Sequence, residues 1–205
     1  MNTNDLKRLA NRAEADERSR AAAERLPDLA AVEGLLDIAV AEMDSPIGEL
    51  MVAVTPRGLA CVAFEGEEYR HEVLGRIARE ISPRILPSAK GTDEWRRELD
   101  EYFASERVRF DLPIDRRLIH GIARDVLVQT SRIGFGQTDT YGQIAKKIGH
   151  PTAARAVGRA LGSNPIPIVI PCHRVIGASG KLTGYAGGLD RKIALLELEG
   201  VLAPS

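Results

Sequence analysis

Hydrophobic and polar positions change period several times along the chain, and each change marks a different element. Residues 4–36 carry Leu6, Leu9, Ala13, Leu26, Leu29 and Leu36 at helical spacing among many charges, with Pro27 as an interruption. The pattern predicts a charged helical extension over 1–36. From Asp37 the alternation shortens. IAVAEM, ELMVAVT and LACVAF are separated by Asp44-Ser45-Pro46-Ile47-Gly48 and Pro56-Arg57-Gly58, which predicts a three-stranded antiparallel meander. Residues 70–80 and 93–105 return to helical spacing, with Leu99, Tyr102 and Phe103 on one stripe. The proline-containing FDLPID at 110–115 reads as a linker or an edge strand, so a domain boundary is expected near it.

Beyond that boundary, LIHGIARDVLVQTSRI places Ile119, Ile122, Val126 and Leu127 on the core face of a helix ending near Gly134. Thr140 to Gly149 reads as a helix with a threonine N-cap and a closing glycine. His150-Pro151-Thr152 then makes a turn, and Ala153 to Leu161 forms a second short helix. Two short helices around a tight turn have helix-turn-helix geometry, although any small helical bundle contains such pairs. On the second helix Arg155 and Arg159 share a face, beside Ala154 and Gly158, whose small size permits close approach to a groove. The whole reads as an α+β chain with a front domain over 37–115 and a helical domain over 116–205.

Composition sets limits on this picture. At 44% hydrophobic and 28% charged, the 205 residues can bury a real core. The apolar runs are only of strand length, which predicts no transmembrane helix and no membrane partner. The charged N-terminus offers no apolar signal region. Two cysteines, Cys61 and Cys172, rule out a disulfide framework and a four-cysteine zinc site. A cytoplasmic protein with reduced thiols is expected. The net charge of −1 conceals an asymmetry: residues 1–120 hold 18 Lys and Arg against 24 Asp and Glu, whereas 121–205 hold 10 against 5. A basic back half suits a negatively charged partner, with chance segregation as the plain alternative. Aromatics at 4% argue against a stacking platform for single strands.

The chemistry gathers in Ser163 to Val175. Pro165, Pro167 and Pro171 exclude a regular helix, so the apolar Ile166 to Ile170 is expected to be extended and buried. It delivers Cys172, His173 and Arg174 consecutively. The plain reading is a strand-end cysteine beside a solvated His-Arg pair. The chemical reading is a nucleophile, since a thiol attacks as thiolate and needs a base or positive field nearby. Neighbours in an extended strand point to opposite faces, so His173 is expected to act through a bridging water, with a carboxylate orienting the imidazole. The glycine-rich stretch 180–189 lacks the spacing of a phosphate cradle and reads as a wall leaving room for a flat ligand. The helix after it carries Glu197 and Glu199. Cys61, inside the third strand, reads as core.

Pro171-Cys172-His173-Arg174-Val175, preceded by Asn164-Pro165-Ile166-Pro167, resembles the active-site signature of the O6-alkylguanine-DNA alkyltransferases, the methylated-DNA–protein-cysteine methyltransferase family. The similarity extends to Thr140-Tyr141-Gly142, to Ala154-Arg155-Ala156-Val157-Gly158, to Thr183-Gly184-Tyr185-Ala186-Gly187-Gly188 and to Glu199-Gly200. In the front half it covers Ser45-Pro46-Ile47-Gly48, Gly58-Leu59, Leu99 to Phe103 and Phe110 to Pro113. The resemblance implies a ribonuclease-H-like front domain and a helical back domain with a helix-turn-helix. It implies direct-reversal DNA repair, in which Cys172 irreversibly takes an alkyl group from O6-alkylguanine, and from O4-alkylthymine, in a single turnover. No cofactor and no metal are implied. His173 would act through water, Glu199 would hold the imidazole, and Tyr141 would assist departure of the guanine. The damaged base must be flipped from its duplex, at a cost of about a few kcal/mol. Arg155 resembles the finger that fills the vacated stack, Asn164 the hinge before the active-site segment, and Tyr185 part of the base pocket. Ala154 and Gly158 would fit the recognition helix into the minor groove, and Lys192 would line the pocket or lie on the surface. The expected partner is double-stranded DNA containing alkylated guanine, bound by a monomer.

Three departures stand out. Gly121 to Leu127 lacks both aromatics common ahead of the family's helix-turn-helix, position 186 is an alanine without a hydroxyl, and Cys61, His71 and His120 do not reproduce the zinc ligands of some members. The alternative function is a non-catalytic damage-sensing DNA-binding module, but family-like proteins of that kind lack the acceptor thiol. A transcription regulator would need more long polar side chains on the recognition helix.

Overall fold

The computed structural model describes residues 36–203, so the expected helical extension lies, but for Leu36, outside the described residues. The meander forms as expected: β1 (Ile38–Met43), β2 (Leu50–Thr55) and β3 (Gly58–Phe64) pair antiparallel, with Val40 opposite Ala53 and Val52 opposite Val62. After α1 (Glu67–Glu80), a short β4 (Ile85–Pro87) adds a parallel strand beside β1, giving the order β3-β2-β1-β4. The period of two divides the apolar residues between two layers. Met51, Ala53, Cys61 and Ala63 pack with Ile77 of α1. Leu50, Val52, Leu59, Val62 and Phe64 join the larger core shared with the helical half. This is why β3 is buried along its whole length.

Behind β4 comes α2 (Asp93–Phe103), which buries Trp95, Leu99 and Tyr102. The 110–115 segment pairs at the edge of β3: Leu59 donates to the Pro113 carbonyl at 3.0 Å, and Asp115 donates to the Leu59 carbonyl at 2.7 Å. Gly58 makes this approach possible. Its φ is +118°, and a Cβ there would sit 1.8 Å from the Pro113 oxygen.

The helical half consists of α3 (Ile122–Thr130), α4 (Tyr141–Lys147), α5 (Ala154–Gly162) and α6 (Leu189–Leu198), with a small parallel pair between β5 (Asp139–Thr140) and β6 (Val175–Ile176). Thr140 caps α4 as expected and forms a full capping box with Gln143. Two local expectations are corrected. The first helix starts only at Ile122, because Gly121 takes a φ of 54°, and Ile122 is 42% exposed instead of facing the core. Residues Ile166 to Ile170 are nearly all buried but not extended. They form a turn in which Val169 donates to the Pro167 carbonyl, Ile170 donates to that of Ile166, and Ile168 takes a φ of 72°.

The halves are tied together at this turn. Val62 of β3 donates to the Pro165 carbonyl at 2.9 Å. Arg191 of α6 donates to the carbonyls of Ile47 at 2.7 Å and Gly187 at 2.9 Å, while its guanidinium covers the Phe64 ring. Among the described residues, no helix is long and apolar enough to cross a membrane.

Candidate active site

Cys172 opens a single 3-10 turn, Cys172–Arg174, between the buried turn and β6. The thiol is 5% exposed and lies at the inner end of a cleft of about 490 Å³. One wall is Tyr141, Ala154, Arg155 and Gly158 from the two short helices, and the other is Thr183 to Ala186 of the glycine-rich loop. That loop does form a wall, and Gly187 anchors it, since a Cβ there would lie 2.7 Å from the Phe64 ring. Burial pushes the Cys172 thiol above its ordinary value, while Asn164 and the charge of Lys192 pull the other way. Asn164 donates from Nδ2 to the sulfur at 3.2 Å and to the Ile170 carbonyl at 2.9 Å, and its Oδ1 accepts from the Ile166 amide at 3.0 Å. One buried amide therefore shapes the turn and faces the thiol.

His173 is wholly buried, and its Nε2 lies 2.9 Å from Oε1 of Glu199. Burial lowers the imidazole's pKa and keeps it neutral, against the carboxylate's opposing pull. Burial alone would raise the Glu199 carboxyl, but hydrogen bonds from His173, Arg174 and Tyr102 hold it at about 2. An ionised carboxylate only accepts, so Nε2 carries the imidazole hydrogen and Nδ1 offers a lone pair. Nδ1 is buried and has no hydrogen-bond partner among the described residues. Arg174 closes the far side of Glu199, donating from Nε at 2.8 Å and Nη2 at 2.8 Å to its two oxygens and from Nη1 to the Ile133 carbonyl at 2.6 Å. The His-Arg pair is thus buried structure and not a solvated surface pair.

The other expected residues take different places around the cleft. The Tyr185 hydroxyl is buried beside it, where it favours the thiolate without completing a well-aligned hydrogen bond, and its ring meets Phe64 edge-on at 5.8 Å. Tyr141 is half-buried on the opposite wall, and its hydroxyl accepts from Thr183 Oγ1 at 3.1 Å. Gly158 lies behind that ring. Arg155 stands exposed at the mouth, with no ion pair among the described residues. Lys192 is neither on the cleft wall nor on the surface: its ammonium is buried, donating to the carbonyls of Val175 at 2.7 Å and Thr183 at 3.2 Å. It fastens the loop from behind. Sequence reasoning gave no role to Tyr102, whose apolar stripe marked it as core, although its hydroxyl donates to Glu199 at 2.7 Å. Cys61 is core as expected, and burial pushes its thiol up to about 12. Among the described residues no cluster of His, Cys, Asp or Glu is arranged to hold a metal ion.

A family model described as 6-O-methylguanine DNA methyltransferase, ribonuclease-like domain, matches residues 38–116, and its DNA binding domain counterpart matches residues 122–201. The methylated-DNA–protein-cysteine methyltransferase of Mycolicibacterium paratuberculosis is 46% identical over 157 residues, 77% of this chain and 89% of the relative. That of Methanosarcina acetivorans is 43% identical over 157 residues, 77% of this chain and 95% of the relative. The crystal structure of Mycobacterium tuberculosis O6-methylguanine methyltransferase is 40% identical with a TM-score of 0.66, covering 82% of this chain and 96% of its own. Mycobacterium tuberculosis OGT in complex with DNA gives 40% identity and a TM-score of 0.66 over 80% of this chain and 92% of its own.

Proposed function

Because this chain belongs to the 6-O-methylguanine DNA methyltransferase family, we propose that it repairs alkylated duplex DNA by moving the alkyl group from guanine O6 onto the sulfur of Cys172. The observation that carries this reading is the thiol at the inner end of the cleft beside a buried imidazole held by an ionised carboxylate. Burial disfavours a standing thiolate, so the proton leaves as the reaction proceeds. One water at His173 Nδ1 takes it to the imidazole, and Glu199 stabilises the resulting imidazolium. The sulfur attacks the alkyl carbon, the S–C bond forms as the C–O6 bond breaks, and the electron pair goes to the guanine. The Tyr141 hydroxyl lies 3.1 Å from that of Thr183, and with Thr183 as the donor of this pair the Tyr141 hydrogen is directed to the departing base. The S–C bond of the thioether is stable and nothing in the relay breaks it, so each molecule acts once. O4-alkylthymine presents the same alkyl–oxygen bond and belongs to the same reading.

The base reaches Cys172 only if it leaves the duplex. Arg155, exposed at the mouth, fills its place in the stack, and the small faces of Ala154 and Gly158 let α5 enter the minor groove. Tyr185 and the loop receive the ring. The basic balance of 121–205 supports that half as the DNA-facing domain, with 37–115 as its support. One cleft with one thiol needs only a monomer. Both cysteines are unpaired, which suits the reducing cytoplasm.

Incubation with duplex DNA bearing labelled O6-methylguanine should place one label on Cys172, and Cys172→Ala should accept none. Label retained by that variant would overturn the assignment. Wild type that binds the DNA without gaining a methyl would identify a damage-sensing module instead.

A further inference from the structure

The acceptor's relay crosses the boundary between the two halves of the molecule. Oε1 of Glu199 accepts three hydrogen bonds at once: from His173 Nε2 at 2.9 Å, from Arg174 Nη2 at 2.8 Å and from the Tyr102 hydroxyl at 2.7 Å. The first two donors come from the active-site turn. The third comes from α2, ninety-seven residues before Glu199 in the chain. Oε2 is held by Arg174 Nε at 2.8 Å and, more loosely, by the Gly136 amide at 3.4 Å. Tyr102 is wholly buried, and its ring lies edge-on to Phe103 and Phe135. Burial and the adjacent carboxylate drive its hydroxyl far above the ordinary tyrosine range, so it stays a protonated donor.

We propose that Tyr102 is a positioning residue for alkyl transfer: its hydroxyl sets the orientation and basicity of Glu199, and through Glu199 the readiness of His173 to take the Cys172 proton. The inference rests on Cys172 being the acceptor. The carboxylate has to stabilise an imidazolium without taking the proton itself. Each hydrogen bond accepted by Oε1 withdraws electron density from the oxygen that faces Nε2. With Tyr102 in place, Oε1 is a weaker base and His173 remains a neutral acceptor. Without the hydroxyl, charge concentrates on Oε1, the imidazolium is stabilised and His173 enters each encounter already protonated. The charged groups acting on the imidazole are Lys192 of α6, Glu199 at the C-terminal cap of that helix, and Arg174 from its own turn. Tyr102 acts on it only through Glu199. The front half therefore supplies part of the chemistry and not only a scaffold.

The test is Tyr102→Phe, which keeps the ring and removes only the oxygen, compared with wild type in reaction with free O6-benzylguanine from pH 5.5 to 9. The rate is expected to fall roughly tenfold at neutral pH, as when the oriented partner of a working histidine is removed. The loss should grow toward acid pH, moving the acid limb of the profile upward. Imidazole NMR titration of His173 in the same variant should show its protonation shifted to higher pH. Tyr102→Leu, which empties part of the site as well, should retain the displaced limb. A uniform loss across the range, or a profile and titration equal to wild type, would overturn the inference while leaving Cys172 as the acceptor. Wild type that gains no benzyl group would overturn the functional reading itself.

Discussion

The side-chain nitrogen of Asn164 sits 2.9 Å from the Ile170 carbonyl and 3.2 Å from the Cys172 sulfur, so the group that closes the turn also donates to the thiol. Asn164→Asp keeps the shape and replaces that donor with a carboxylate facing the thiol. The reaction with free O6-benzylguanine should slow by at least about tenfold, because like charges disfavour the thiolate. Asn164→Ala should cost about 1–3 kcal/mol in urea unfolding, since the Ile166 amide and Ile170 carbonyl lose a buried partner. Unchanged transfer rates in the Asp variant would remove Asn164 from the chemistry.

Arg155 occupies the mouth of the cleft and touches none of the relay. Arg155→Ala should weaken transfer from duplex DNA far more than reaction with the free base, because only the duplex needs its vacated stack filled. Melting temperature should stay near that of wild type, given the exposure of the side chain. Equal losses on both substrates would argue against a base-flipping role.

Thiol chemistry should separate the two uses of Cys172. Burial holds its pKa above the ordinary 9.0, so iodoacetamide at pH 7 should modify it slowly, while O6-benzylguanine, which fills the cleft, should react fast. His173 is held below its ordinary 6.5, so alkyl transfer should keep its rate as pH falls to about 6.5 and decline only below that, when the imidazole is protonated. A decline already complete at pH 7.5 would contradict a neutral His173 acting as the base.

The same relay links acid to stability. Glu199 has a folded pKa of about 2 against an ordinary 4.5. A lowered carboxyl pKa contributes stability in full above the unfolded value and loses it as pH falls through the folded one, so this contribution should drain away between about pH 4.5 and 2. Arg174→Met, which removes the buried partner of that carboxylate, should cost about 3–5 kcal/mol at neutral pH. Urea unfolding of wild type and variant at several pH values checks both statements. An Arg174→Met protein as stable as wild type would show that the pair does not hold the turn.

What was legible in the sequence followed periodicity and residue chemistry. The meander was readable because β1 to β3 alternate and are closed by proline and glycine turns, and α4 because a threonine N-cap and a closing glycine bracket it. β4 was not, since Ile85-Leu86-Pro87 is too short to show a period and its partner lies far away in sequence. Proline at 165, 167 and 171 correctly excluded a helix, but a non-helical buried segment need not be a strand. Here the Asn164 side chain pays for a turn instead. The nucleophile and its histidine were visible as neighbours. Tyr102 was not visible, because a tyrosine on an apolar stripe looks the same whether its hydroxyl meets water or a carboxylate ninety-seven residues further along the chain.

The sheet leaves little of its edges open. β4 is three residues long and ends in proline, and β3 is covered first by the 113–115 backbone and then by the Pro165 carbonyl on Val62. That last hydrogen bond belongs to the segment leading to Cys172. The hydrogen bond that covers the middle of β3 and the geometry of the Cys172 turn are therefore one feature: the edge of the front sheet is closed by the very segment that sets the thiol in place.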